Sequence, residues 1–279
     1  MATWNEVSDR VYQRRYDPLD ISVSVVAGAD GLLVVDTRCN PREADEIRSD
    51  IAELSTLPIR WVANTHAHYD HSFGNQGFPD AEIFGHHLVP RHFAEYEQPR
   101  LAAWAMNPAA SPQHDWRGVT LTPPTVLVSS VLELDLGDRR VRFHPLPPGH
   151  TDTDLVVEIP DAATWLVGDI LEQSGPPMYG SGSFPLDWPG VLDMLAESVS
   201  PHDVLVPGHG SPVDLAFLLE QAGVLRVVAD GIRSSFDQSE PLESASERIA
   251  SVSRLPLEIV ESAVLRGYTL LSATGQVRS

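Results

Sequence analysis

His66-Ala67-His68-Tyr69-Asp70-His71 places three imidazoles and a carboxylate in six consecutive positions. Imidazole suits zinc and iron, and a carboxylate widens the choice of metal. His66 and His68 are two apart, so in an extended segment they point the same way and can grip one ion. Asp70 and His71 are adjacent and diverge, so they can serve a second ion. The run follows residues 59–63, a short apolar stretch that reads as a strand.

Outward from the run, strand and helix patterns alternate. Residues 10–16, 21–27 and 32–36 read as strands, with turn chemistry at Gly28-Ala29-Asp30-Gly31. Residues 41–54 read as a helix, since Ala44, Ile47, Ile51 and Leu54 recur at intervals of three and four. Downstream, 81–84 is a short strand, 88–97 a helix, and 98–123 a long loop. Four strand-like runs follow at 125–130, 141–145, 155–159 and 164–167. A second loop spans 172–190, and Asp187 is placed to cap a helix reaching about residue 199, with Pro189 in its first turn. Residues 204–206 form a strand, and the remainder is helical over about 212–230 and 257–271, with 234–246 as a polar linker. The pattern predicts a layered α/β protein.

Further candidate ligands stand just beyond strand ends, where sites gather in layered α/β folds. They are His150 in Pro148-Gly149-His150-Thr151, Asp169 in Gly168-Asp169, and His209 in Pro207-Gly208-His209-Gly210.

The run His-x-His-x-Asp-His, preceded by Asp36 and followed in order by His150, Asp169 and His209, resembles the metallo-β-lactamase superfamily. The resemblance covers about residues 5–225 and implies a four-layer αββα sandwich with the site on one edge. A helical C-terminal part, about 226–279, completes a single metallo-hydrolase domain. It implies that His66, His68 and His150 hold one metal, that Asp70, His71 and His209 hold the second, and that Asp169 bridges them. Asp36 matches a supporting aspartate that does not bind metal. The implied cofactor is two divalent ions, zinc by expectation, with iron or manganese as alternatives. The implied reaction is attack of a metal-bridging hydroxide on the carbonyl of an ester, lactone, thioester or related amide. Asp70 is the residue to orient the hydroxide or carry a proton.

Departures narrow the branch. Cys39 is the sole cysteine and lies far from Asp169, so a cysteine-ligated β-lactamase site is disfavoured. All 19 basic residues are arginine, so the lysine that often grips the drug carboxylate is missing. Asp169 resembles instead the glyoxalase II thioesterases and the lactonases. Tyr179, ten residues beyond Asp169, is a candidate oxyanion donor, at a looser spacing than the lactonase tyrosine. Trp104, Met106, Trp116, Met178, Phe184 and Trp188 lie in the two long loops and predict an apolar pocket for a neutral or hydrophobic substrate. The main alternative is a sulfur dioxygenase of the same superfamily, with one iron on His66, His150 and Asp169. A β-lactamase or a nuclease ranks below it.

A net charge of −20 disfavours nucleic acid and anionic membranes as partners. Residues 1–12 lack the apolar core of a signal peptide, and no apolar run approaches membrane-spanning length. A cytoplasmic enzyme acting on a small molecule is the expectation, with a homo-oligomer left open.

Overall fold

The computed structural model describes residues 3–107, 109 and 115–277. In chain order the first elements are β1 (Asn5–Ser8), β2 (Val11–Tyr16), β3 (Ile21–Ala27), β4 (Leu32–Val35), α1 (Pro41–Leu54), β5 (Ile59–Ala63) and α2 (Tyr69–Ser72). Next come β6 (Glu82–His86), α3 (Val89–His92), a π-helical turn (Phe93–Glu97) and α4 (Gln98–Met106). Then β7 (Val126–Val128), β8 (Leu132–Asp135), β9 (Arg140–Pro145), β10 (Leu155–Ile159) and β11 (Thr164–Glu172) lead to α5 (Trp188–Ala196) and β12 (Val204–His209). The chain ends in α6 (Leu215–Asp237), α7 (Leu242–Ser253) and α8 (Leu257–Val277).

The strands run in the order β7-β6-β5-β4-β3-β12-β11-β10-β9-β8, with β2 on β3 and β1 on β2. The two halves of this sheet face each other across a shared core. Leu33, Val35, Ala63 and Phe84 from one half meet Phe143, Val157, Leu166 and Val206 from the other. Phe84 and Phe143 stack at 4.9 Å. The alternate residues of the same strands point outward, as a two-residue period requires. Val23, Val25, Leu32, Val34 and Val62 pack against Ala44, Ile47 and Ile51 of α1. Trp165, Val167 and Leu205 pack against α5, α6, α7 and α8. Strands covered on both faces carry unbroken apolar runs, which is why 32–35 and 164–167 show no alternation in sequence. The result is the expected αββα sandwich.

Helix α1 starts where the sequence says. Asn40 accepts from the Glu43 N–H, and Glu43 accepts in return from the Asn40 side chain, a reciprocal cap at the N-terminus.

Several boundaries differ from expectation. Residues 98–106 are helical, continuing α3 through the π turn; residues 108 and 110–114 of the expected loop lie outside the described residues. β1 and β8 fall outside the expected strands, because edge strands this short and polar lack a pattern. β11 runs on to Glu172. Asp187 has helical backbone angles and makes no side-chain cap, because the turn at Phe184 already feeds Trp188. The expected linker 234–246 is the end of α6 and the start of α7, where Ala245 is fully buried in the core. The expected boundary at 225/226 falls inside α6.

Candidate metal centre

The ligand candidates arrive from loops at one edge of the sandwich. Asp36 ends β4, the histidine run ends β5, His150 joins β9 to β10, Asp169 lies within β11, and His209 ends β12. Two glycines permit this convergence. A Cβ on Gly208 would lie 1.8 Å from Asp169 Oδ1, and a Cβ on Gly168 would lie 2.5 Å from Thr65 Cβ. Gly168 also has φ of +59°, a left-handed conformation that glycine adopts without penalty.

His66, His68, His150 and Asp169 bring one donor atom each within 4.8 Å of one another, and so do Asp70, His71 and His209. Asp169 Oδ2 lies 3.6 Å from His66 Nε2, 3.6 Å from His150 Nε2 and 3.4 Å from His209 Nε2, so it stands between the two groups. Asp169 Oδ1 is 3.2 Å from His71 Nε2. Asp70 Oδ2 is 3.5 Å from His209 Nε2 and 3.8 Å from His71 Nε2.

The outward ring nitrogens fix the tautomers. His71 Nδ1 donates to Asp36 at 2.8 Å, and His209 Nδ1 donates to the Leu19 carbonyl at 2.7 Å. His68 Nε2 donates to the Ser181 carbonyl at 3.0 Å. Thr65 donates its hydroxyl to Asp36 at 2.8 Å and receives His66 Nδ1–H at 3.1 Å. Each of these four rings therefore turns its remaining lone pair inward, the arrangement found around metal-ligating histidines, whereas Nδ1 of His150 is buried without a partner among the described residues. The consequence is plain at His71 and His209, whose Nε2 atoms face each other at 3.3 Å. Two lone pairs at that distance repel unless a cation or a proton lies between them. His66 Nε2 is buried and has no hydrogen-bond partner among the described residues. The donor set fits two divalent ions.

Electrostatics separates the two groups. Burial keeps His66, His68 and His150 neutral, with His150 pushed down to about 3. Burial works in the same direction on His71 and His209 but is outweighed by Asp169 and neighbouring carboxylates, which raise both. His71 and His209 in turn hold Asp70 down to about 2 against its burial. Positive charge is thus strongly favoured between Asp70 and Asp169.

A cleft of about 310 Å³ opens on these groups. Asp70, His150, Asp169 and His209 reach it, together with Leu19, Tyr69, Arg100, Glu172, Pro176 and Met178. A wider groove of about 730 Å³ beside α1 contains no histidine and shares no residue with it.

Of the aromatic and methionine candidates, Met178 lines the cleft. Trp104 and Trp116 stack on each other at 4.3 Å and back Tyr69, which forms the wall. Met106 is 82% exposed. Phe184 lies beneath the Arg266 guanidinium, beside a separate depression. Trp188 is fully buried, donates to the Ile170 carbonyl and packs edgewise on His150. Tyr179 is buried against Trp188, between the cleft residues Met178 and Gly180, and its hydroxyl has no hydrogen-bond partner among the described residues.

Sequence reading missed four contributors. Arg100 reaches the cleft from α4, donating to Ser181 and pairing with the buried Glu97. Glu172 closes the end of β11. Asp154 accepts from the Thr151 N–H and hydroxyl, fixing the loop after His150. Thr153 accepts from the Ala67 N–H, tying that loop to the histidine run. A third residue beyond a ligand on a bulged strand, such as Glu172, was the one legible signal.

Comparison with known proteins follows the same lines. A linear primary-alkylsulfatase from Pseudomonas sp. (strain ATCC 19151) is 23% identical over 248 residues, covering 77% of this chain and 46% of that protein. The stereoselective inverting sec-alkylsulfatase Pisa1 from Pseudomonas sp. superposes with a TM-score of 0.75 at 17% identity, over 96% of this chain and 50% of that one. A metallo-beta-lactamase family protein from Thermus thermophilus superposes with a TM-score of 0.69 at 20% identity, over 95% and 94% of the two chains. The chain thus spans about half the length of the alkylsulfatases it matches. The family model described as the metallo-beta-lactamase superfamily matches residues 16–209, a span that holds Asp36 and every ligand candidate through His209. On that match, and on the sandwich and donor geometry that accompany it, the chain belongs to the metallo-β-lactamase superfamily.

Proposed function

We propose that this protein is a metal-dependent hydrolase of a small molecule, cleaving a carbonyl ester, lactone or thioester with two divalent ions. Zinc is the expected metal. His66, His68 and His150 would hold one ion, Asp70, His71 and His209 the other, and Asp169 both. The observation that carries this reading is the set of outward hydrogen bonds that turns the lone pairs of His66, His68, His71 and His209 into one small volume.

When bound, the ions supply a water acidified toward neutrality and positive charge for a developing oxyanion. The chain supplies the rest. Asp70 faces the cleft, and its depressed proton affinity keeps it ionised at neutral pH, ready to orient a water molecule through its free lone pairs. Asp36 and Thr65 hold the rings of His71 and His66 in place. Leu19, Tyr69, Pro176 and Met178 give the substrate an apolar wall.

A sulfate ester is the second reading. Its support is Arg100, the one arginine in the cleft lining among the described residues, together with the likeness to alkylsulfatases. A guanidinium suits a carboxylate or sulfate oxygen pair.

One experiment tests both. Metal content is measured on purified protein, and hydrolysis of an aryl acetate, a γ-lactone, a thioester and a medium-chain alkyl sulfate is followed before and after chelation. The expected result is two ions per chain and chelator-sensitive turnover of at least one acyl substrate. Turnover of the alkyl sulfate alone would select the second reading. The variant His68→Ala should lose at least one ion and more than about 100-fold in rate, beyond the upper end of what supporting residues contribute. Wild-type rate and metal content in that variant would refute the site.

A further inference from the structure

Glu172 is 6% exposed and lines the cleft. Its carboxylate takes no hydrogen bond or ion pair among the described residues, whereas the backbone around it is carefully held. Gln221 accepts from the Glu172 N–H at 2.9 Å and donates to the Ile170 carbonyl at 3.0 Å. A buried carboxylate held on a rigid frame and left without a donor is costly unless a cation or a proton meets it.

The strand geometry says what it meets. Residues three apart on a regular strand point to opposite faces. The pairing of β11 with β12 shifts register between Gly168 and Glu172, and Glu172 ends opposite His209. This irregularity turns Asp169 and Glu172 to the same side, as bulges next to sites do. Donor atoms of Asp169, Glu172 and His209 lie within 4.8 Å of one another.

We infer that Glu172 is a further metal-binding residue, one that gives the Asp70–His71–His209 position a third carboxylate and biases it toward a harder cation than its neighbour. The inference rests on the metal-centre reading above. The two positions then differ in chemistry. One has three imidazoles and a shared carboxylate, and suits zinc. The other has two imidazoles and carboxylates from Asp70, Asp169 and Glu172, a set in which oxygen donors improve the relative standing of Mn²⁺.

The test uses metal-free full-length protein given one equivalent of Zn²⁺ and then titrated with Mn²⁺, read by the electron paramagnetic resonance of free and bound manganese. Wild type should take up one Mn²⁺. Glu172→Gln should bind that Mn²⁺ about 10- to 100-fold more weakly, the range for residues that tune a metal site, with Zn²⁺ affinity changed less than about threefold. Glu172→Asp, which retains the carboxylate, should recover part of the loss. Equal Mn²⁺ affinity in wild type and Glu172→Gln would overturn the inference. So would loss of both ions together in Glu172→Gln, since Glu172 would then shape the loop rather than ligate. Failure of wild type to bind two divalent ions at all would instead sink the metal-centre reading itself.

Discussion

Asp36 shows how much one side chain can decide. Its carboxylate accepts from the Thr65 N–H, the Thr65 hydroxyl and His71 Nδ1, each at 2.8 Å. Asparagine is nearly isosteric but has only one accepting atom. In Asp36→Asn an N–H group must confront a donor, and His71 is free to adopt the tautomer that points Nε2–H at the metal. We expect metal affinity to fall about 10- to 100-fold and stability to fall by about 1–3 kcal/mol. Competition with a chromophoric chelator and denaturant unfolding of the metal-free protein measure the two, and an unchanged affinity would remove Asp36 from its role. Asp154 makes a different prediction. Burial raises its proton affinity to about 7, offset in part by the Thr151 bonds. The folded value lies above the unfolded one, so the folded state binds the extra proton between them. Stability from this group is complete below about pH 4 and is lost as pH rises toward 7, by at most about 4 kcal/mol. Subtracting the pH profile of metal-free Asp154→Asn from that of wild type should leave this falling curve; a flat difference would mean that the carboxyl titrates normally. Asp36 was legible because it sits at a strand end. Asp154 was not, because a four-residue loop partner carries no spacing signal.

At the scale of elements, the approach of β11 to β12 is tighter than ordinary strand packing where Gly208 meets Asp169. Gly208→Ala would place a methyl group 1.8 Å from the carboxylate oxygen, so either the strand or Asp169 must move. Because Asp169 stands between both donor groups, we expect the substitution to remove at least one ion and to reduce hydrolysis more than about 100-fold, while far-UV circular dichroism remains that of the wild type. Two bound ions at normal affinity in this variant would mean that Asp169 is not shared. Elsewhere, a single irregular turn undid the sequence reading. Residues 98–106 look like loop because Pro99 interrupts the pattern, yet Pro99 sits in the first turn of α4, where its missing N–H costs nothing. The π turn at Phe93–Glu97 rotates the helix so that Glu97 is buried and Arg100 reaches the cleft. The Arg100 guanidinium lies 5.5 Å over the Trp104 ring, and Arg100→Leu keeps an apolar stem there but removes the charge. It should raise KM at least about tenfold for carboxylate- or sulfate-bearing substrates, on the order of one charge-assisted hydrogen bond, and leave neutral esters within about threefold. Steady-state kinetics on matched anionic and neutral substrates separates these outcomes, and equal effects on both would deny Arg100 a part in recognition.

For the molecule as a whole, the same geometry that assembles the site also links metal binding to folding. The sandwich was legible because the alternation of strand and helix patterns and the strand-end ligands that carry the family resemblance agree. Its hidden parts were short edge strands, and helices α6 to α8, whose junctions read as polar linker until Ala245 and Ile249 are seen in the core. The ligands span positions 66 to 209 and come from both halves of the sheet. In the unfolded chain they are scattered, so ions held by them would bind the folded state and stabilise it by mass action. At free metal one hundredfold above the dissociation constant the gain is about 2.7 kcal/mol per ion. Without ions, the buried carboxylates of Asp70 and Asp169 stand together with only histidine protons to balance them, and burial beside Asp169 drives Glu172 to take up a proton, on a chain that already carries a net charge of −20. Removing the metal should therefore lower Tm by about 5–10 °C per ion, taking about 2–4 °C for each kcal/mol in a chain of this size. Readdition of Zn²⁺ should restore the transition. Differential scanning calorimetry before and after chelation gives the shift, and hydrogen exchange locates it. Protection should fall first around residues 64–72, 149–154 and 207–210, where the donors sit, while the amides of α1, packed on the outer face of the half of the sheet that holds β3, β4 and β5, keep theirs. A chelated protein that melts at the wild-type temperature with those loops still protected would show that the edge of the sandwich is built without help from metal, and that the convergence of its donors is a property of the polypeptide alone.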